Sequence, residues 1–288
     1  MVTINIFEAF SNKPADQDFV WPGFLAGTVG ALVAPGATGK SFWALQAALA
    51  VACHVPGGDL LDLQPSKNGK VFYIAGEDPE PALAQRLYAM GAHLTDKARQ
   101  SIADNLVIDS VAGKQLNLVA DEAKNTLTEK CKGCRLIIID TLSRVHQLDE
   151  NSNSDMSRLI TSLEHIAKNT GAAVLFLHHV NKSAIRESVG DHQHAARGAS
   201  ALIDNARWCG YVAKMTADES RKLSERPSGT PIDQRMSSFV RYGVSKQNYL
   251  ESQQEQWYSR AAGGVLIPVT LHKVEKKQTT SYGGRPNA

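Results

Sequence analysis

Short apolar runs alternate with longer amphipathic stretches along most of the chain. The apolar runs predict strands, which we place at residues 28–34, 70–75, 106–109, 136–139 and 172–177. The amphipathic stretches predict helices, which we place at residues 41–52, 81–90, 120–130 and 155–169. Strands that alternate with helices build right-handed βαβ units, and uninterrupted apolar strands indicate a sheet that is covered on both faces. The pattern therefore predicts an α/β fold with a mostly parallel twisted sheet flanked by helices.

The pattern changes after about residue 200. Shorter strand-like segments at residues 207–213, 239–244, 256–258 and 265–269 are joined by turn-rich links, and we expect them to add antiparallel strands at the edge of the sheet. Residues 1–22 form a predicted arm, in which a short apolar helix precedes a polar linker. We therefore divide the chain into this arm, one large domain over residues 23–272, and a flexible basic tail over residues 273–288.

Composition narrows the functional classes. The chain has 288 residues, 43% of them hydrophobic, and its net charge of +2 excludes a strongly basic surface, so contact with nucleic acid would need local patches. No apolar run approaches the roughly 20 residues that a membrane span needs, and no signal peptide is evident, so we expect a cytoplasmic protein without a membrane partner. Cys131 and Cys134 lack a second pair of ligands at suitable spacing, which predicts reduced thiols in a turn rather than a zinc site.

A phosphate-binding motif lies between the first predicted strand and helix. Residues 34–41 read Ala-Pro-Gly-Ala-Thr-Gly-Lys-Ser, with Ala34 where the first glycine of the motif is usual. Small residues let backbone N–H groups surround a phosphate at a helix N-terminus, while Lys40 adds a positive charge and Ser41 a hydroxyl for Mg²⁺. We therefore predict ATP and Mg²⁺ as cofactors. The predicted nucleotide-binding residues are Pro35, Gly36, Ala37, Thr38, Gly39, Lys40, Ser41 and Phe42.

Two acidic positions follow predicted strands. Asp140 ends the strand at residues 136–139, at the sheet edge where open α/β sheets bind ligands, and we expect it to orient Mg²⁺. Thr141 follows it, so no second carboxylate stands there to activate water. Glu77, after the strand at residues 70–75, is our candidate for that general base and a neighbour of the metal. The alternative is that Glu77 and Asp78 merely begin a helix, where the helix dipole favours acids.

Two histidines follow the strand at residues 172–177. A polar side chain at the carboxyl edge of that strand would contact the γ-phosphate and report its loss to the next loop, so His178 and His179 are candidates. The alternative is a pair of solvated loop residues. A metal site that adds His192 and His194 is a further alternative, although no helical ligand spacing supports it.

Taken together, these residues resemble the DnaB/RecA-type helicase core, a RecA-like P-loop NTPase. The resemblance puts His179 at the glutamine sensor position of the family and matches the spacing from Glu77 to Arg86. Lys246 matches the first residue of a Lys-x-Arg pair, whereas Asn248 replaces the arginine. Over nearly its full length the chain is similar to the RepA-type hexameric replicative helicases of IncQ plasmids. The supporting residues that the resemblance adds are Asp78, Arg86, His178 and Lys246.

This resemblance implies a homohexameric ring that encircles single-stranded DNA and moves 5′ to 3′ during plasmid DNA replication. A replication initiator or primase would be a further partner. In such a ring a neighbouring subunit donates an arginine finger to the nucleotide, for which Arg207 is the first candidate and Lys246 the second. The resemblance also implies that the N-terminal helix docks on the next subunit.

The polar stretch between His179 and Ser200, residues 180–199, would face the channel of the ring and bind DNA. Its cations are Lys182, Arg186 and Arg197. An uninvolved loop is the alternative. At the level of the whole protein, a RecA-like recombinase that forms filaments and a regulatory ATPase that binds nucleotide without unwinding DNA both stay open.

Overall fold

A computed structural model describes residues 3–180, 200–249 and 255–274 of the chain. The strands in it are β1 (Phe19–Trp21), β2 (Phe24–Leu25), β3 (Val29–Ala34), β4 (Lys70–Ala75), β5 (Leu106–Ser110), β6 (Cys134–Asp140), β7 (Ala173–His179), β8 (Trp208–Lys214), β9 (Leu223–Ser224), β10 (Phe239–Gln247), β11 (Gln256–Arg260), β12 (Leu266–Val269) and β13 (His272–Lys273). The α-helices are α1 (Ile6–Ser11), α2 (Lys40–Ala52), α3 (Glu80–Gly91), α4 (Asp96–Asn105), α5 (Asp121–Lys130), α6 (Asn153–Thr170), α7 (Ser200–Asn205) and α8 (Ala217–Lys222).

Within those residues, a nine-stranded sheet carries the fold, in the order β12-β11-β10-β8-β3-β7-β6-β4-β5. The six strands from β8 to β5 pair in parallel, and β10, β11 and β12 extend the sheet with antiparallel pairing. The expected α/β fold with a mostly parallel sheet, flanking helices and antiparallel edge strands is therefore confirmed.

One strand direction differs from the expectation. The segment at residues 207–213 was expected to be antiparallel, but β8 pairs in parallel with β3, with Gly30 opposite Trp208. Helix α7 precedes β8 and packs against α6, so the chain returns to the same edge before β8 begins. Parallel neighbours require a crossover of this kind, whereas a tight hairpin would have reversed the strand. Antiparallel pairing begins only with β10.

Apolar residues on both faces of the sheet explain why its central strands read as continuous runs. All of β3 is buried, and so are the last five residues of β6. Leu32 and Ile138 pack on one face with residues of α2, while Val33 and Ile137 pack on the other with residues of α6. Each buried large aliphatic side chain contributes about 1.5–3 kcal/mol through removal from water, so the sheet positions its carboxyl edge rigidly.

Helix α6 shows how local sequence fixes an element beside the site. The Ser152 side chain accepts a hydrogen bond from the Asp155 N–H at the start, and Gly171 ends the helix in the left-handed region at φ 73°. Between these signals, buried Leu159 and Leu163 recur at helical spacing and face the sheet. Helix α6 therefore covers one face of β6 and β7, the two strands whose carboxyl ends lie at the site.

The N-terminal arm is shorter than the expected 1–22. Strand β1 pairs with β2, and Trp21 is buried against Phe24, Trp43 and Trp208, so packed structure begins at Phe19. Helix α1 before it buries none of its residues. At the other end, β13 pairs with β9 up to Lys273, and residues 275–288 of the expected tail lie outside the described residues. No helix in the described part of the chain is long and apolar enough to span a membrane.

Candidate nucleotide site

The phosphate loop joins β3 to α2 at the carboxyl edge of the sheet. Its turn needs two residues in the left-handed region, Ala37 at φ 56° and Gly39 at φ 107°. Gly39 caps α2 without any side-chain hydrogen bond to the first turn, so the N–H groups there have no partner from a capping side chain and can face an anion. The Thr38 hydroxyl is buried and makes no hydrogen bond to the described residues.

Lys40 is buried at the base of this loop, with 4% of its surface exposed. Its Nζ donates to Thr141 Oγ1 at 3.4 Å, and that hydroxyl donates to the Leu177 carbonyl at 3.3 Å. Burial lowers the pKa of Lys40, and the negative charges of Asp140 and Glu77 oppose the change. The ammonium group therefore lies within electrostatic reach of both predicted carboxylates.

Asp140 presents a buried carboxylate beside Lys40 and Ser41. Its Oδ2 accepts a hydrogen bond from the Tyr73 hydroxyl at 2.7 Å. Burial raises the pKa of Asp140, while hydrogen bonds from Tyr73 and Ser41 and the charge of Lys40 lower it. Oδ1 is buried and makes no hydrogen bond of normal geometry to the described residues. A buried oxygen without a donor, next to a serine hydroxyl, fits the oxygen ligands that Mg²⁺ prefers.

Glu77 reaches the same edge because β4 and β6 end together. The Gly76 N–H donates to the Asp140 carbonyl at 2.5 Å, and a Cβ atom at Gly76 would lie 2.6 Å from Arg144 Cβ. Only glycine permits this close approach. The Glu77 Oε1 then lies 3.6 Å from His179 Nε2, with the two side chains 35% and 45% exposed.

The two histidines differ in environment. Both belong to the end of β7, and His178 is buried whereas His179 is exposed. Burial, with the charges of Lys40, His179 and His146, lowers the pKa of His178 to about 4, so its imidazole is neutral at pH 7. The solvated-loop alternative is therefore wrong for His178. Across the described residues no group of three or more His, Cys, Asp and Glu side chains is arranged to hold a metal ion.

A second layer joins α3 to the phosphate-loop helix. Arg86 donates to both carboxylate oxygens of Asp78, at 2.6 and 2.9 Å. Its guanidinium carbon also lies 4.9 Å from the centroid of the Phe42 ring. The acidic residue beside the candidate base is thereby paired, which leaves Glu77 as the carboxylate that faces the site.

Two residues that contact the site were not predicted from the sequence. Tyr73 read as one more apolar position of a strand, and its contact with Asp140 depends on the pairing of β4 with β6. Arg260, at the end of β11, donates a hydrogen bond to the Thr38 carbonyl of the phosphate loop. Arg260 and Thr38 are 222 positions apart in the sequence, and no local sequence pattern indicates such a contact.

Several predicted residues lie elsewhere. Arg207 is exposed, and its N–H donates to the Val29 carbonyl at 2.9 Å, at the amino end of β3 and opposite the phosphate loop. Its assignment to the site of a neighbouring subunit stays a prediction. The Nζ of Lys246 donates to the carbonyls of Ile203 and Asp204, at 3.1 and 2.7 Å, at the end of α7. Lys182, Arg186, Arg197, His192 and His194 lie outside the described residues.

The sheet order, the phosphate loop and the carboxylates beside it define a P-loop ATPase fold of the RecA-like kind. A family model described as an AAA domain matches residues 5–184, more than half of the chain, and the protein belongs to this family. Its fold is similar to a solved structure titled "Crystal structure of the RadB recombinase", with a TM-score of 0.53 and 14% identity over 85% of this chain and 92% of that chain. A fold of this class implies a bound nucleotide and, typically, Mg²⁺.

Proposed function

We propose that the protein is an ATP-dependent, ring-forming DNA helicase that acts in plasmid replication. The observation that carries the proposal is the convergence of Lys40, Glu77 and Asp140 on the phosphate loop. A site that needs only to hold a nucleotide requires the loop and its lysine, whereas a general base and a metal-orienting carboxylate serve hydrolysis. The resemblance to the hexameric helicases then suggests that hydrolysis drives DNA unwinding.

Each group has a definite task in the proposed reaction. The backbone N–H groups of the loop and Lys40 bind the β- and γ-phosphates. Ser41 and Asp140 would hold Mg²⁺, which neutralises charge on the phosphates when bound. Glu77 accepts a proton from the attacking water, and His179 at 3.6 Å limits the positions that its carboxylate adopts.

His178 and His179 end the strand that leads into residues 181–199. A neutral imidazole at His178 can donate a hydrogen bond to the γ-phosphate or leave it after hydrolysis, without a change in net charge. We propose that this difference couples hydrolysis to the DNA contacts of Lys182, Arg186 and Arg197, which lie outside the described residues. The charges of those residues suit a phosphate backbone.

Surface complementarity supports an assembly of identical subunits. Helix α1 exposes Phe7 and Phe10 at 80% and 85% of their surface. A cavity of about 760 Å³ between α2, α3, α4 and β5 is lined by apolar residues, including Leu87, Leu94 and Ile102. A helix of one copy that occupies the cavity of the next makes a head-to-tail contact, and contacts of this type generate closed rings or filaments.

The proposal is tested by ATP hydrolysis with and without single-stranded DNA, unwinding of a forked duplex, and the mass of the assembly. We expect DNA to stimulate hydrolysis, the fork to be unwound, and the mass to be a multiple of 31.2 kDa. Lys40→Ala is the inactive control. Hydrolysis without unwinding, together with filaments in electron micrographs, would favour the recombinase. Nucleotide binding without turnover would favour the regulatory ATPase.

The arginine finger has its own test. In the assembled protein, Arg207→Ala should keep nucleotide affinity and lose hydrolysis by a factor on the order of 10³ or more, because a finger stabilises charge in the transition state. Lys246→Ala is the matched variant for the second candidate. Turnover near the wild-type value in Arg207→Ala would exclude that residue as the finger.

A further inference from the structure

Arg260 is a cation placed against the phosphate loop, and the described residues give it no acidic partner. Its guanidinium donates to the Thr38 carbonyl, and among the described residues this is the one acceptor that it meets. A Cβ atom at Gly39 would lie 2.8 Å from Arg260 Nη2 and 3.1 Å from Nη1, so the planar group rests directly on the residue before Lys40. Burial alone lowers the pKa of Arg260.

An arginine in this position has unused binding capacity. A guanidinium carries several N–H donors in a planar fork that matches phosphate and carboxylate oxygens. Half-buried arginines are normally paired, because an unpaired charge loses hydration without compensation. Since Arg260 uses one neutral carbonyl, its remaining positive charge lies uncompensated beside the loop that would bind the phosphates.

The backbone that carries Arg260 is fixed relative to the loop. Arg260 pairs across the β11–β12 hairpin with Leu266. Both backbone polar groups of Leu266 are bound by the Gln46 side chain of α2, each at 2.8 Å. In the connecting turn, Gly264 at φ 87° packs closely on Phe42, where a Cβ atom would lie 2.8 Å from the ring. The hairpin and the first turns of α2 therefore hold the arginine in place.

We propose that Arg260 is a positioning and charge-supplying residue of the nucleotide site, which holds the phosphate loop through the Thr38 carbonyl and favours nucleotides with a long phosphate chain. This inference rests on the proposed nucleotide site, and it makes the β11–β12 hairpin a part of that site. The hydrogen bond keeps the loop carbonyl pointing away from the bound phosphates, because the N–H groups must point towards them. The fixed charge acts on the phosphates, and its effect increases with their number.

Three substitutions separate these two contributions. Arg260→Gln keeps an N–H donor for the Thr38 carbonyl and removes the charge, Arg260→Lys keeps the charge and loses the fork, and Arg260→Ala removes both. Arg221→Gln is the matched control, because that exposed arginine of α8 also donates to a backbone carbonyl, of Ala217 at 3.1 Å. Lys40→Ala reports loss of the site itself.

The measurement is displacement of a fluorescent ADP analogue from the full chain by AMP, ADP and ATP at several salt concentrations. We expect Arg260→Gln to lose about tenfold to a hundredfold in ATP affinity, less for ADP and least for AMP, with a weaker dependence on salt. Arg260→Lys should recover most of the loss, and Arg221→Gln should match the wild type. Thermal unfolding without nucleotide checks that each variant folds. If Arg260→Ala unfolds, the other two carry the test.

Two results would overturn the inference. Wild-type ATP affinity in Arg260→Gln would remove the charge contribution, and an equal loss for AMP, ADP and ATP would indicate damage to the loop alone. Both are distinct from failure of the proposed function. In that case the wild-type protein itself would bind no nucleotide, or Lys40→Ala would bind as well as the wild type.

Discussion

The hydrogen bond between Tyr73 and Asp140 gives the sharpest test of the metal-orienting carboxylate. Both side chains are buried, and the hydroxyl lies 2.7 Å from Oδ2. Tyr73→Phe removes one oxygen and leaves the ring in place. The carboxylate would then lose the tyrosine donor at Oδ2 and keep Ser41 as its neighbour.

The expected magnitude follows from the type of acceptor. A hydrogen bond to a charged group contributes about 1.5–3 kcal/mol, and one between neutral groups about 0.5–1.5 kcal/mol. Tyr258 supplies the matched control, because its buried hydroxyl donates to a neutral carbonyl, of Leu61 at 3.0 Å. Tyr73→Phe should therefore lower the free energy of unfolding by about 1 kcal/mol more than Tyr258→Phe does.

The pH dependence has a definite sign. The hydroxyl of Tyr73 lowers the pKa of Asp140 against the effect of burial, so Tyr73→Phe should raise that pKa further. A raised pKa in the folded state means that the folded protein takes up the proton first as pH falls. The destabilisation is then complete at pH values above the pKa of Asp140, where the carboxylate is charged, and decreases as pH falls through that pKa.

Urea unfolding in the absence of nucleotide and Mg²⁺, followed by circular dichroism at neutral and acidic pH, measures both quantities. The reasoning is refuted if Tyr73→Phe costs no more than Tyr258→Phe, or if its cost is the same at both pH values. In a companion titration of ADP binding against Mg²⁺, the affinity should depend less on Mg²⁺ for Tyr73→Phe than for the wild type, and Tyr258→Phe should match the wild type.

Two further predictions concern the same edge of the sheet. The pKa of His178 is about 4 in the folded protein instead of 6.5, so between these pH values the unfolded chain binds a proton at this residue and the folded chain does not. The free energy of unfolding of the wild type should therefore decrease by up to about 3 kcal/mol as pH falls from 6.5 to 4. His178→Asn should remove most of this slope in urea unfolding, and an unchanged slope would contradict it. Gly76→Ala places a Cβ atom 2.6 Å from Arg144 Cβ and 3.3 Å from the Asp140 carbonyl oxygen, and should cost about 1–3 kcal/mol by overpacking. A variant as stable as the wild type would show that the two strand ends move apart easily.

The sequence predicts the central strands well because of the way they are buried. A parallel strand that is covered on both faces must be apolar throughout, and the run at residues 70–75 became β4 with the same bounds. Helix α4 was missed for the opposite reason. Only Ala98 and Ile102 of its ten residues are buried, so its apolar periodicity is too weak to stand out from a polar connection.

Strand direction and long-range contacts need tertiary information. The residues of β8 do not encode whether the strand runs with or against β3, because that depends on the path of the preceding chain. The loop, Glu77 and Asp140 could be placed together from sequence, since the carboxyl ends of parallel strands share one edge. The contact of Arg260 with Thr38 depends instead on the docking of a distant antiparallel hairpin.

The charges around the phosphate loop explain why a further cation is expected from outside the chain. Lys40 faces the carboxylates of Glu77 and Asp140, and Arg260 lies against the loop at the Thr38 carbonyl. The two cations and two anions of the site therefore nearly cancel in net charge before any nucleotide binds. His178 adds no charge at neutral pH, because its pKa lies near 4.

A nucleoside triphosphate with Mg²⁺ brings net negative charge to this site, and the negative charge increases locally as the bond to the γ-phosphate breaks. Arg207 is exposed at the opposite edge of the sheet, away from the phosphate loop of its own chain, and this position is compatible with the role proposed for it at the site of a neighbouring subunit. If the proposed ring forms, hydrolysis should rise with protein concentration as it assembles, while nucleotide binding by the single chain stays constant. Turnover per chain that does not depend on assembly would contradict it.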